Sequence, residues 1–441
     1  MHGAQAVHGA QDYERTVPRK VMWRLIPLLI LIYMMAHLDR VNVSFAALTM
    51  NEDLGFSNQV YGLGASLFFL GYFLFEVPSN MLLERFGARR VIFVIMMVWG
   101  SVSAAMSLVW SPLSFYVMRF ILGVAEAGLY PGIILYLTYW FRPQERATAV
   151  ALFALALAFA SLLGSPLSGA ILDTTQGLGG LASWQWLFIL EGLPTLALAV
   201  FVLGYLADRP AQAKWLSREE SAWLEAQLAA EAPGQAAGAH DGLLTKMLSP
   251  KVLHLALIYL LFLGAFAGTL FWAPKLIAWA DPELSKSAVG TLVGLPFLAF
   301  AAAMLAWGRH SDRSGERRWH VTVPALLAAT GYAVAASSAH LGVIMLGLVM
   351  SMTGAGAAFS CFWGLVTESL SRSLAAVGIA VVNSAGALGS FATVYLIGDL
   401  LERTGSYAPG FYSLALVALL AAAAVPLLPR PAARAVVQSS G

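Results

Sequence analysis

Runs of about 20 predominantly apolar residues, the length an α-helix needs to cross roughly 30 Å of hydrocarbon, recur throughout this chain. Twelve can be marked, near 22–45, 58–83, 90–110, 113–140, 146–172, 185–207, 252–279, 287–308, 319–338, 340–368, 374–400 and 409–428. No apolar/polar alternation of the barrel kind accompanies them, so the predicted fold is all-α and integral to a membrane. Composition agrees: 59% of residues are hydrophobic and 11% charged, against about 45–50% and about 25% in soluble domains. The first run follows a polar start (Asp12, Glu14, Arg15, Arg19, Lys20) without a small-residue cleavage site, and reads as a retained anchor.

Several function classes drop out. One cysteine, Cys361, can build neither a disulfide framework nor a Cys-based metal site. A net charge of +2 gives no footprint for nucleic acid. The eight histidines form no His-Glu-x-x-His pattern, and no Gly-rich loop with a lysine offers to cradle phosphates. The chain is therefore expected to be no enzyme, to need no cofactor or metal, and to have membrane lipid as its surroundings.

Basic residues set the orientation by position. With the N-terminus inside, 21 of the 26 lysines and arginines fall in inner segments, leaving Lys275, Lys286 and Arg403 outside and Arg40 and Arg119 within spans. Both termini are predicted to be cytoplasmic, in the inner (plasma) membrane of a cell. The longest polar stretch divides the spans six and six. The expected organisation is a tail at 1–21, a bundle at 22–207, a linker at 208–250, a second bundle at 251–428 and a tail at 429–441.

An internal repeat supports that division. Glu84-Arg85-Phe86-Gly87-Ala88-Arg89-Arg90 and Asp312-Arg313-Ser314-Gly315-Glu316-Arg317-Arg318 share the pattern acid-Arg-x-Gly-x-Arg-Arg, 228 residues apart and in the equivalent inner loop of each half. The second copy, with Gly308 and Ser311 before it, resembles the signature loop of the major facilitator superfamily. In the first copy Asn80 and Glu84 stand where that motif has Gly and Asp. Further strings narrow the resemblance: Leu38-Asp39-Arg40-Val41-Asn42, Glu76-Val77-Pro78-Ser79-Asn80, Arg119-Phe120-Ile121-Leu122-Gly123 continuing to Glu126 and Gly128, and Trp184-Gln185-Trp186 leading to Glu191-Gly192. Over about residues 20–428 the chain is similar to the anion:cation symporters of that superfamily, which import tartrate, phthalate, 4-hydroxyphenylacetate and sugar acids. The resemblance implies two pseudo-symmetric six-helix bundles rocking about a central site, driven by proton symport. The monomer is the expected working unit.

Charges inside spans point to the site without the family. An ionised side chain at mid-bilayer costs about 2.5–3.5 kcal/mol on insertion scales, so each needs a reason. Asp39 and Arg40 lie deep in the first span, about 100° apart around a helix; Arg119 and Glu126 share a face of the fourth, nearly two turns apart. The four could be two structural ion pairs, but buried pairs stabilise less well than apolar packing. Arginine offers a planar fork that holds a carboxylate and stays charged when desolvated. A neighbouring carboxyl then exchanges its proton as the substrate anion arrives. The resemblance assigns the same division: Asp39 and Glu126 as proton-linked acids, Arg40 and Arg119 as anion contacts. Of the two arginines Arg40 is the stronger expected contact, and the alternative for Arg119 is to pair mainly with an acid instead. Glu76 reads as a gating or packing residue, Glu191 as a cap on a neighbouring helix, Glu368 and Asp399 as interfacial. His37 reads as a relay or as a buried histidine bonded to backbone.

The second half offers Ser360 and Trp363 in span ten and Asn383 in span eleven, without a central charge. By the resemblance, Trp363 and Asn383, with Tyr72 in span two, line the cavity; Ser360 is a further candidate contact. Charge is thus expected in the first half and shape selection in the second. Leu157 stands where sugar-acid importers carry a glutamine, which favours a short dicarboxylate or an aromatic acid over a hexonate. The expected function is import of a small organic carboxylate by proton symport through alternating access; the alternative is a passive uniporter or exchanger of organic anions.

Overall fold

The computed structural model describes residues 2–230, 243–370 and 372–429. Among these residues twelve helices are long and apolar enough to span a membrane: α1 (Tyr13–Asp53), α2 (Asn58–Leu83), α3 (Ala88–Leu108), α4 (Pro112–Thr138), α5 (Pro143–Thr174), α6 (Ser183–Tyr205), α7 (Pro250–Ala280), α8 (Lys286–Ser314), α9 (Arg318–Ala336), α10 (Leu341–Ser369), α11 (Val377–Thr404) and α12 (Ala408–Leu427). Local chemistry sets their starts. Ser57 and Ser285 cap α2 and α8 by accepting from Val60 N and Ala288 N, both at 3.1 Å. Ser111 and Ser114 form a reciprocal capping box ahead of α4, with Pro112 at its first turn. The α3–α4 and α9–α10 turns are as short as the sequence requires.

One element is longer than its apolar run. The first helix extends back to His2, well before the run near 22. Its polar residues find partners beyond the hydrocarbon: Lys20 Nζ meets Glu220 at 2.7 Å and Glu14 meets Arg142 at 3.4 Å. Residue 1, positions 231–242 of the linker and the tail from 430 lie outside the described residues. The linker contributes a surface helix, Arg218–Ala230.

The internal repeat reappears in the packing. A methyl added to Gly123 of α4 would fall 1.9 Å from Phe68 O of α2; one added to Gly356 of α10 would fall 2.3 Å from Phe300 O of α8. The same helix pair in each half is drawn to backbone contact by a glycine, as membrane helices without a hydrophobic drive to associate require. Both signature loops turn at a glycine with positive φ, Gly87 (86°) and Gly315 (66°). Beyond the first, Arg89 N donates to Asp208 Oδ1 (2.8 Å) and Arg89 Nε to Leu203 O (2.5 Å). In the second, Arg317 joins Asp312 (2.7 Å) and Glu368 (3.1 Å), and Arg318 donates to Pro429 O (2.8 Å). Arg85 lies 5.3 Å from the Phe86 ring. Arg90 and Arg313 are exposed. The Glu84 side chain lies outside the described residues.

On the far face, opposite the linker, bonds cross between the halves: Asn58 N to Glu402 (3.0 Å), Lys275 Nζ to Asn58 Oδ1 (2.7 Å), Tyr61 OH to Phe271 O (2.7 Å) and Ser287 N to Asp173 (2.8 Å). A methyl on Gly169 would lie 2.2 Å from Lys286 O and one on Gly398 2.7 Å from Asn58 O, so this face is tightly sealed.

Candidate functional site

Tyr33, His37 and Arg40 stand at i, i+4 and i+7 on α1, a single helical face, and all three line a central cavity of about 110 Å³ between the halves. Arg40 reaches across to α4, its Nη2 2.9 Å and its Nε 3.2 Å from Glu126 Oε2. The pair is asymmetric. The Arg40 side chain is 16% exposed, whereas Glu126 is 0% exposed and sits behind it. Glu126 Oε1 accepts no hydrogen bond among the described residues. The rings of Phe68 and Tyr72 lie 5.1 and 5.5 Å from the guanidinium, adding cation–π attraction.

Asp39 turns the other way. It is fully buried among α1, α3 and α6 and accepts from Ser103 Oγ (2.5 Å), Trp99 Nε1 (2.8 Å), Thr195 Oγ1 (3.2 Å) and Asn42 Nδ2 (3.4 Å). Four donors on two oxygens suit an ionised carboxylate, and they join α1 to two other helices. The roughly 100° between neighbouring residues thus places Arg40 at the cavity and Asp39 away from it.

Arg119 is fully buried behind Arg40, whose carbonyl oxygen its Nη2 reaches at 3.3 Å. The guanidinium lies 5.2 Å from the Phe68 ring and 5.9 Å from that of Phe271 in the second half. Its Nε and Nη1 have no hydrogen-bond partner among the described residues, and it does not line the cavity. Of the two arginines expected at an anion, only Arg40 faces the cavity in this conformation.

The second half supplies an uncharged wall. Trp363 and Asn383 line it, and Tyr259 packs against Trp363 with ring centroids 5.1 Å apart. Ser360 does not line it: its Oγ donates to Ala357 O and its Cβ faces Gly308. Leu157 does, so the position that lacks a hydrogen-bonding group faces the cavity. Asn383 also donates to Glu76 Oε1, and Ser384 Oγ to Glu76 Oε2 at 2.9 Å, a bridge from α2 to α11 between the halves. His37 Nε2 meets Ser161 Oγ at 2.9 Å, a side chain rather than the backbone. Glu191 accepts from Ser168 Oγ at 2.6 Å within α5, so it bonds a helix interior where a helix end was expected.

Three lining tyrosines escaped the sequence reading. Tyr33 lies two turns before Arg40 on one face and Tyr130 one turn after Glu126, spacings that could have flagged them. Tyr259 carried no such signal.

Comparison with known proteins decides the family. The Major Facilitator Superfamily description matches residues 29–394 and 276–440. The chain belongs to the major facilitator superfamily. This facilitator is 45% identical over 428 residues to a protein of Agrobacterium vitis named "Putative tartrate transporter", covering 96% of this chain and 94% of that one. It is 38% identical over 415 residues to a "Quinolone resistance transporter" of Acinetobacter baumannii, covering 92% and 94%. The inward open xylose transporter XylE of E. coli superposes with a TM-score of 0.74 at 14% identity, covering 94% of this chain and 98% of that one, which shows the shared fold. The molecule is thus a multi-pass membrane transporter of the facilitator type and not an enzyme.

Proposed function

We propose that this facilitator imports a small organic carboxylate together with protons, by alternating access, across the inner membrane with both termini in the cytoplasm. One observation carries the proposal: Arg40 faces the central cavity while the carboxylate that holds it, Glu126, is buried behind it. A substrate carboxylate entering the cavity competes for the same guanidinium fork. Two carboxylates on one guanidinium leave a net negative charge away from water, which a proton on Glu126 removes. Substrate and proton then load together, and proton release restores the Arg40–Glu126 pair and expels the substrate.

Charge counting supports a second proton. Among the described spans Asp39, Glu76, Glu126 and Glu191 are buried, against the guanidiniums of Arg40 and Arg119. Asp39 is assigned a different task from Glu126. A proton there competes with the donors from α3 and α6 and loosens α1, coupling charge to movement. Glu76, bridging to Asn383 and Ser384 beside the cavity, forms the latch that parts when the linker face opens.

The aromatic wall and Leu157 favour a compact dicarboxylate or an aromatic acid over a polyhydroxylated one. The relatives' names are compatible, since tartrate and the quinolone drugs both carry a carboxylate. The deciding experiment is uptake by proteoliposomes of labelled tartrate and of an aromatic carboxylate, with and without an imposed proton gradient. Accumulation that collapses with a protonophore and is lost in Arg40→Ala is expected. Equilibration indifferent to the gradient would make the protein a uniporter.

A further inference from the structure

A second cavity, of about 440 Å³, lies at the linker face where α1, α3, α6 and the start of the linker meet, and it shares no lining residue with the central one. Arg24, Arg89 and Lys214 line it, with Tyr205, Gln212 and Trp215 between them. No acidic side chain is part of the lining. Arg24 lies 4.1 Å from the Tyr205 ring centroid and 6.0 Å from that of Trp215. No carboxylate of the described residues pairs with Arg24 or Lys214. Nearby Asp208 accepts from the Arg89 N–H and so is directed at the α3 turn. Three like charges around one cavity repel each other until an anion enters.

The surroundings indicate the source of that anion. Trp23, beside Arg24, is 73% exposed, an aromatic at the depth where indoles sit among headgroups. Within two to three turns of Arg89 and Tyr205, Val94 and Val98 of α3 and Val200 and Phe201 of α6 are exposed apolar side chains. A cationic recess thus opens at the end of an apolar, lipid-facing wall. We propose that this recess binds the phosphate of an anionic phospholipid, with its acyl chains along α3 and α6. The lipid would tie the linker, through Lys214, to α1 and α3 of the first bundle. Basic pockets at the ends of membrane helices are suited to such headgroups.

The test uses the full chain in neutral detergent and native mass spectrometry with phosphatidylglycerol, phosphatidylcholine and inorganic phosphate added separately. Phosphatidylglycerol should bind, and Arg24→Gln with Lys214→Gln should weaken it about 25-fold, from about fivefold for each charge removed. Phosphatidylcholine should not compete, and Arg218→Gln, elsewhere on the linker, should bind as wild type does. Should the double variant fail to fold, Lys214→Gln alone, compared with the charge-preserving Lys214→Arg, should show the fivefold loss and its absence. Unchanged phosphatidylglycerol binding in these glutamine variants overturns the assignment. Displacement of the lipid by an equal concentration of inorganic phosphate would also overturn it, making the recess a site for a soluble phosphate.

Discussion

Arg40 and Asp39 are adjacent in sequence yet serve different surroundings, and that separation makes their roles testable one at a time. Arg40→Lys keeps the positive charge but loses the fork that holds two oxygens in one plane, so apparent substrate affinity should fall about tenfold or more, read by thermal shift against substrate concentration. Arg40→Ala should abolish the shift. Glu126→Gln keeps the shape of the acid without its titration. Counterflow exchange should persist in this variant while gradient-driven accumulation disappears; equal loss of both would leave Glu126 a structural partner of Arg40. The acid–arginine strings in spans one and four were legible because charge in an apolar run has few explanations. Which side chain met which was not, because a helix turns neighbours about 100° apart and only the packed neighbours say what each face sees.

At the scale of helices, glycine contacts rather than polar bonds set how closely α2 and α4 approach, and Phe68 at that contact lies 5.1 Å from the Arg40 guanidinium. Gly123→Ala would place a methyl 1.9 Å from Phe68 O. Overpacking of this kind costs about 1–3 kcal/mol. A lowered unfolding temperature and weakened substrate binding are therefore expected, whereas Gly204→Ala, with nothing within 4 Å, should unfold as the parent does. The linker helix docks through Lys20 and Glu220. Partial burial opposes the charged form of Glu220, but hydrogen bonds from Lys20 and the Ser217 N–H outweigh it and hold the carboxyl below its usual range. A carboxyl lowered on docking contributes above its free value and loses that contribution as pH falls through the lowered one. Protease protection of residues 218–230 should accordingly weaken on acidification, and Glu220→Gln should remove the pH dependence. The Lys20 end of the pair is open to solvent, which screens it and keeps the effect under about 1 kcal/mol.

For the whole molecule, the seal on the far face must part if the halves rock about the central cavity. Asn58→Cys with Glu402→Cys places a thiol on each half where the two segments meet. The sole native cysteine, Cys361, is buried and gives little background. Cross-linking this pair should stop transport and reduction should restore it; undiminished transport by the cross-linked protein would mean that the far face does not open. The number of spans, their order, the two halves and the repeated loop were all determined by the sequence, because hydrocarbon thickness and the positions of glycine and charge are local constraints. Only the tertiary structure decided that Arg40 lines the cavity while Arg119 and Asp39 are buried away from it, that Ser360 faces a glycine, and that Glu76 joins the two halves. Those outcomes depend on which helix lies against which face, and residues far apart in the chain fix that by packing.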